Sequence, residues 1–272
     1  MNDSLLPPKA IIGALHFTPL PGYQGFIDME SVIQKAKKDM KALLDGGVDA
    51  VIIENNYDLP HKMKVGKETV DAMTELGKGL SSLTEIPIGV SVLWNDYEAA
   101  FTIAKAIGGK FIRVPAFVDT VSTDFGIANA EPDLVIEARN KLGTEEIRIF
   151  ADIQVKHAKM LIPRPIEESA MIAAEKGADF IIVTGQVTGQ PPEIQKIITA
   201  RQASGIPVFV GSGLDSKNAQ SLLKYADGAI VSTSLKDGNQ SASERNAKPY
   251  SSEIDVGKVR ELMEVVETIR KI

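Results

Sequence analysis

Cysteine is missing altogether from the 272 residues. Its absence removes disulfides, thiolate metal ligands and a cysteine nucleophile, although it says little about compartment. Positive charge is in deficit, since 30 Lys and Arg against 36 Asp and Glu leave a net charge of −6. General nucleic-acid binding needs clustered cations to replace phosphate counterions, so no nucleic-acid partner is expected. Long apolar runs are lacking too. The stretch Ala10–Leu15 is too short for a membrane span or a signal core, and Met1-Asn2-Asp3-Ser4 carries no basic residue. The expectation is a cytoplasmic protein without an integral membrane segment. No Walker loop occurs, and the first apolar run ends in His16-Phe17-Thr18-Pro19-Leu20-Pro21-Gly22 rather than a dinucleotide-binding glycine loop.

What is present is ordinary in composition and regular in pattern. With 44% hydrophobic and 24% charged residues, the chain is neither disordered nor collagen-like nor a coiled coil. Eight short runs rich in Val, Ile and Phe alternate with segments of helical periodicity. The runs are Ala10–His16, Ala50–Glu54, Ile88–Leu93, Phe111–Val114, Arg148–Ile153, Phe180–Thr184, Val208–Gly211 and Ala229–Ser232. Most are almost continuously apolar, as strands buried on both faces require. Helices are predicted over Glu30–Leu44, Glu68–Leu83, Tyr97–Ile107, Glu131–Leu142, Pro165–Lys176, Pro192–Ala203, Ser216–Tyr225 and Val256–Ile272. Each strand–helix unit takes about 34 residues, close to a βαβ repeat. The α/β pattern predicts one (β/α)8 TIM barrel over residues 1–272, with an open doubly wound sheet as the competitor. Three turns into strands share glycine and aspartate, at Asp49, Asp179 and Asp227, and read as helix caps and strand punctuation.

Barrel enzymes build their sites at the carboxyl ends of the strands, so the loops at 16–29, 115–130 and 235–255 and the strand-end residues are the places to look. The last loop is polar and reads either as a lid or as a solvated loop. The fifth run continues Asp152-Ile153-Gln154-Val155-Lys156-His157, placing a carboxylate, an amine and an imidazole in one turn. The second ends in Glu54-Asn55-Asn56. Glu54 and Asp152 are candidates to divide acid and base roles, with Lys156 and His157 orienting the substrate or stabilising charge. His16, Asn55, Asn95 and Arg113 are candidate substrate-binding residues. Asn95 also suits a helix cap, and Arg113 suits either an anion clamp or an ion pair with Glu54 or Asp152. His61, in Pro60-His61-Lys62, is expected at the surface. The three histidines match no local zinc spacing, so neither metal nor cofactor is expected.

The last three runs end in small residues: Thr184-Gly185, Gly211-Ser212-Gly213 and Ser232-Thr233. Glycine lets a backbone approach an anion, hydroxyls and N–H groups donate to it, and loops after the seventh and eighth strands recur as barrel phosphate sites. These seven residues form the candidate phosphate site. Phe117-Val118 and Phe125-Gly126-Ile127 are the candidate partner-facing surface, for a homo-oligomer or a larger assembly.

The segment Ile12-Gly13-Ala14-Leu15-His16-Phe17-Thr18-Pro19-Leu20-Pro21-Gly22 resembles the opening signature of the BtpA/SgcQ family. The segments 46–55 and 151–158, and Thr184-Gly185 followed by Gly211-Ser212-Gly213, fit as well. The resemblance runs over nearly the whole chain and implies a TIM-barrel-like fold. It implies two kinds of function, because cyanobacterial members are linked to photosystem I accumulation while enteric members are associated with sugar-phosphotransfer functions and nucleosidase-type labels. The loop Lys236–Asp255 looks longer than the family pattern. The combined expectation is an enzyme for a small phosphorylated metabolite, a sugar phosphate or a nucleoside or ribosyl phosphate. N-glycosidic hydrolysis by two carboxylates and Schiff-base lyase or isomerase chemistry through Lys156 are both open. The alternative is a non-enzymatic assembly or stability factor.

Overall fold

A computed structural model describes residues 5–237 and 252–271. Eight parallel strands close into a barrel: β1 (Ala10–His16), β2 (Ala50–Glu54), β3 (Ile88–Ser91), β4 (Phe111–Val114), β7 (Arg148–Ile153), β9 (Phe180–Val183), β10 (Val208–Val210) and β11 (Gly228–Val231). Going round the barrel they follow chain order, and β11 closes on β1 through Ala10 opposite Gly228 and Gly13 opposite Val231. Helices follow the strands outside: α1 (Met29–Gly46), α2 (Lys67–Ser81), α3 (Tyr97–Ile107), α4 (Pro132–Lys141), α5 (Ile166–Glu175), α6 (Ile194–Ser204), α7 (Ala219–Leu223) and α8 (Val256–Arg270).

Three short strands differ from the expected pattern: β5 (Val121–Thr123), β6 (Gly126–Ala128) and β8 (Lys159–Met160) form a separate antiparallel sheet in the order β6-β5-β8. The loop expected at 115–130 is therefore partly a hairpin. Its tight turn is held by the Thr123 hydroxyl, which donates to the Gly126 carbonyl at 2.9 Å and accepts from the Phe125 N–H at 3.0 Å. Phe117 and Val118, expected at a partner surface, are buried in the core, while Ile127 is exposed. The described part of the loop after β11 is Ser232–Asp237 and Ser252–Asp255, so most of the loop expected as a lid or a solvated loop lies outside the described residues.

Two apolar layers hold the barrel. Outside, strand residues such as Ile11, Leu15, Val51 and Ile53 pack against helix residues such as Met40, Leu43 and Leu76. Inside, Ile12, Ile52, Phe111, Phe150, Ile182, Phe209 and Ile230 fill the lower barrel. Phe150 lies 4.8 Å from Phe111 and 5.2 Å from Phe209, centroid to centroid. Gly228 makes room for this packing, because a Cβ there would approach the Phe209 ring within 2.3 Å. Below the rings, the three repeated aspartates pin strand starts. Asp49 accepts from the Ile11 N–H at 2.7 Å, Asp179 from Ile149 at 2.9 Å and Asp227 from Val208 at 2.9 Å. Each carboxylate thereby satisfies a backbone donor at the rim opposite the cavity.

Candidate functional site

Above the aromatic layer the interior turns polar, because strand-end positions carry His16, Glu54, Arg113 and Asp152 instead of apolar residues. They lead into a cavity of about 390 Å³. One end is lined by His16, Glu54, Arg113 and Lys156, and the other by Gly211–Asp215 and Ile230–Ser234. Two of the expected elements, the strand-end charges and the small-residue loops, thus share one space.

Asp152 grips Arg113 with both oxygens, from Nε at 2.8 Å and Nη2 at 2.9 Å. Arg113 Nη1 reaches Glu54 Oε1 at 3.2 Å, so the guanidinium is buried between two carboxylates. This is the ion-pair arrangement rather than a free anion clamp, and Asp152 is not part of the cavity lining. Its carboxylate is engaged by Arg113, the ion-pair alternative that the sequence also offered. Glu54 does line the cavity. Burial opposes its ionisation, but the His16 hydrogen bond and the Arg113 charge overcome that cost and hold its pKa down at about 2.

His16 has both ring nitrogens engaged. Nε2 lies 3.3 Å from Glu54 Oε2, and Nδ1 lies 3.3 Å from the amine of Lys236. Burial and the Lys236 charge push the imidazole down to about 4, so it is neutral at pH 7. The assignment that satisfies both contacts puts the proton on Nε2, donating to Glu54, and leaves Nδ1 to accept from Lys236. The Lys236 amine also donates to the Tyr57 hydroxyl at 2.8 Å.

Lys156 reaches from the charged end of the cavity toward the small-residue loops. Its amine contacts the Gly211 carbonyl at 3.4 Å, and burial, assisted by the Arg113 charge, lowers its pKa to about 8. The turn that carries it is unusual: Gln154 and His157 on either side adopt φ of 48° and 58°. Non-glycine residues rarely enter this region, and they cluster where a side chain must be aimed. Three contacts hold the turn. The Gln154 N–H donates to Asp119 at 3.0 Å, the Lys156 N–H to the Thr184 hydroxyl at 3.0 Å, and His157 Nε2 accepts from the Thr188 N–H at 3.1 Å.

At the other end, Gly213 has φ 68°, and a Cβ there would come within 2.2 Å of the Pro191 nitrogen. The glycine therefore lets the loops after β9 and β10 pack backbone to backbone. The Ser212 hydroxyl locks the same junction, accepting from the Gly185 N–H and donating to the Gln190 carbonyl, both at 2.8 Å. The Ser232 hydroxyl is buried beside the cavity and has no hydrogen-bond partner among the described residues. A buried hydroxyl without a partner is a costly group that a bound acceptor would satisfy.

The remaining candidates fall outside the lining. Thr184 and Gly185 support Lys156 and Ser212 from behind. His157 is exposed and tethers the Thr188 loop. Asn55 is fully buried and spends its amide on Leu93 and Asp58, while Asn95 bonds both backbone groups of Ala116. The cap of α3 is Asp96, which accepts from the Ala99 N–H. His61, expected at the surface, is half-buried with its ring edge against Phe125. Sequence reasoning overlooked Lys236 and Tyr57. The signal for Lys236 was its place just beyond Ser232-Thr233, at the same barrel face as the other candidates. Among the described residues, no cluster of His, Asp and Glu could hold a metal ion, and no helix is long and apolar enough to cross a membrane.

Fold and cavity together define a TIM-barrel protein with a polar, charged pocket at the carboxyl ends of its strands. The chain belongs to the BtpA family, whose sequence profile matches residues 7–268. It is 37% identical to the photosystem I biogenesis protein BtpA of Synechocystis, over 83% of this chain and 80% of that one. It is 32% identical to the sgc region protein SgcQ of Escherichia coli, over 97% and 96%. Among solved structures, the N-(5'-phosphoribosyl)anthranilate isomerase of Pyrococcus furiosus superposes with a TM-score of 0.55 at 14% identity, covering 96% of this chain and 99% of that one. That likeness concerns the fold.

Proposed function

We propose that this protein is an enzyme acting on a small phosphorylated metabolite, a sugar phosphate or a ribosyl phosphate. One observation carries the reading: the small-residue loops after β10 and β11 line the same cavity as Lys156, Glu54 and Arg113. Phosphate binds at the Gly211-Ser212-Gly213 and Ser232-Thr233 end, where the Ser232 hydroxyl supplies an unused donor. The sugar then lies against Lys156 and Glu54. The reading is also supported by a solved neighbour on the same fold that is named for a phosphoribosyl substrate.

Carbonyl chemistry at Lys156 fits the geometry better than glycosidic hydrolysis. Hydrolysis asks one of two carboxyl groups to donate a proton, yet Glu54 is ionised and both Asp152 oxygens accept from Arg113. Lys156 is a desolvated amine with an appreciable neutral fraction at pH 7 to 8, suited to attack a carbonyl carbon or to move a proton. The reaction class is therefore isomerisation or carbon–carbon bond cleavage of a phosphorylated aldose or ketose.

The test is thermal stability across phosphorylated sugars, nucleotides and their unphosphorylated counterparts. A ligand specific for the folded state adds about 2.7 kcal/mol at a hundred times its dissociation constant. Stabilisation by one phosphorylated sugar, followed by borohydride trapping of its carbon on Lys156, supports the reading. A panel that stays flat, inorganic phosphate included, overturns it in favour of a non-enzymatic assembly role.

A further inference from the structure

The loop that leaves β11 brings a second amine to the charged end of the site. Lys236 is buried, and its backbone is clamped where the two described ends of the loop meet. Lys236 pairs with Ile254 in an antiparallel bridge, the Asp255 N–H donates to Leu235 at 2.8 Å, and the Lys258 amine donates to the Lys236 carbonyl at 2.6 Å. So held, the Lys236 side chain bridges the Tyr57 hydroxyl and His16 Nδ1. His16 passes the contact to Glu54, and Glu54 passes it to Arg113. The chain of contacts therefore starts four residues after Ser232 and runs through the carboxylate that lines the cavity.

An imidazole beside a carboxylate ordinarily gains a proton, because the pair is then an ion pair. Here the geometry opposes this, since the nitrogen that would take the proton already faces an N–H donor. We propose that Lys236 is a positioning residue that, together with burial, keeps His16 neutral by occupying Nδ1, so that Glu54 faces one cation, Arg113, rather than two. The groups facing His16 are Glu54 and Tyr57 from β2 and its loop, Lys236 from the loop after β11, and Lys156 from the turn after β7. Burial opposes a charged imidazole most, both lysines add to that opposition, and Glu54 favours the charge. Of the two amines, Lys236 alone is in direct contact with the ring. Because the phosphate-end loop carries Lys236, the same stretch of chain sets the charge state at the opposite end of the cavity.

This proposal rests on the reading of the cavity as an active site only for its consequence in turnover; its test needs no substrate. Histidine ring resonances are followed by NMR from pH 3 to 8 in the whole protein, with His16→Asn assigning the His16 signals. The wild type should show His16 neutral at pH 7, with its proton on Nε2 and a midpoint far below that of a free histidine. Lys236→Met should raise the midpoint by about one unit or more, and Lys236→Arg, which keeps a cationic donor, should restore the low value. An ordinary wild-type midpoint overturns the proposal whether or not Lys236→Met folds. So does a Lys236→Met protein whose His16 titrates as in wild type. A flat ligand panel combined with the expected titrations would instead remove the enzymatic reading and leave the Lys236–His16 relationship standing.

Discussion

Arg113 and Asp152, 39 residues apart, form two parallel hydrogen bonds of 2.8 and 2.9 Å inside the barrel mouth. Both side chains are buried, and the third guanidinium nitrogen reaches Glu54. Two adjacent barrel strands are thereby tied by charge, since Arg113 stands opposite Phe150 in the β4–β7 register. The pair makes Asp152 a partner of Arg113 rather than a free acid, and this alters what its substitution should do.

Removing Asp152 leaves a buried guanidinium with only Glu54 beside it. Asp152→Ala should cost about 3 to 5 kcal/mol of stability, the range for breaking a buried pair from one side. The double variant Arg113→Met/Asp152→Leu should lose less than the sum of the two single changes, because it strands neither member of the Arg113–Asp152 pair, although Glu54 still loses its Arg113 contact. Urea denaturation of the four proteins measures both values. Additive losses would show that the pair does not act as a unit.

Acid should act through Glu54. Its folded pKa of about 2 lies below its ordinary 4.5, so its contribution is present above pH 4.5 and is lost as pH falls toward 2. That contribution is on the order of 3 kcal/mol. His16, lowered from 6.5 to about 4 by burial and Lys236, also costs stability as pH falls between those values, because the unfolded chain holds the extra proton. Asp58, raised by burial to about 6, works in the opposite direction between pH 6 and 3.8. His61, lowered by burial to about 4, acts in the same direction as His16, so Asp58 offsets only one of the two histidines. Stability should already decline as pH falls from 6.5 and fall more steeply below 4.5, where Glu54 adds its part. Glu54→Gln should remove the steep limb. Denaturation series at stepped pH decide the matter, and an equally steep fall in the variant would assign the acid limb to other groups.

Base should strengthen the fold before it weakens it. Burial lowers Lys156 and Lys236 from 10.5 to about 8, so between those values the unfolded chain binds more protons than the folded one. Stability should therefore rise from pH 8 to 10, with an upper limit on the order of 3 kcal/mol for each lysine. Lys156→Met should be more stable than wild type at pH 7 and should show a shallower rise. A wild-type curve that falls from pH 8 onward would mean that these amines are better solvated than their surroundings indicate.

The barrel was legible in the sequence because its signal is local. Strands such as Ala10–His16 and Phe111–Val114 are apolar runs with nothing to confuse them, and both occur with the expected bounds. The β5–β6–β8 sheet was not legible, since strands of two or three residues carry no period and β8 is recruited from a different loop. Phe117-Val118 misled for a related reason: they follow β4 in a loop, but the loop folds inward and buries them. The site divides in the same way. Strand-end charges and small-residue loops could be read from position alone. The contact between Lys236 and His16 could not, because 220 residues separate them and only barrel closure joins their strands. Nor could sequence distinguish Thr184, which supports the Lys156 turn, from Ser232, which borders the cavity.

Ser212 and Ser232 offer the sharpest separation of support from binding. Both were expected to hold phosphate, yet their hydroxyls differ in what they already do. The Ser212 hydroxyl joins the Gly185 N–H to the Gln190 carbonyl, so Ser212→Ala strands a buried donor and acceptor and should cost about 1 to 3 kcal/mol without ligand. The Ser232 hydroxyl has no partner among the described residues, so Ser232→Ala removes an unsatisfied group and should leave the unliganded protein within about 0.5 kcal/mol of wild type, or slightly stabilise it. In the presence of a stabilising phosphorylated sugar the order should invert. Ser232→Ala should lose most of the ligand-induced rise in melting temperature, while Ser212→Ala should keep a comparable rise from its lower baseline. Differential scanning calorimetry with and without ligand reads both effects. If Ser232→Ala keeps the full rise, the phosphate does not use this hydroxyl and the binding end of the cavity must be assigned elsewhere.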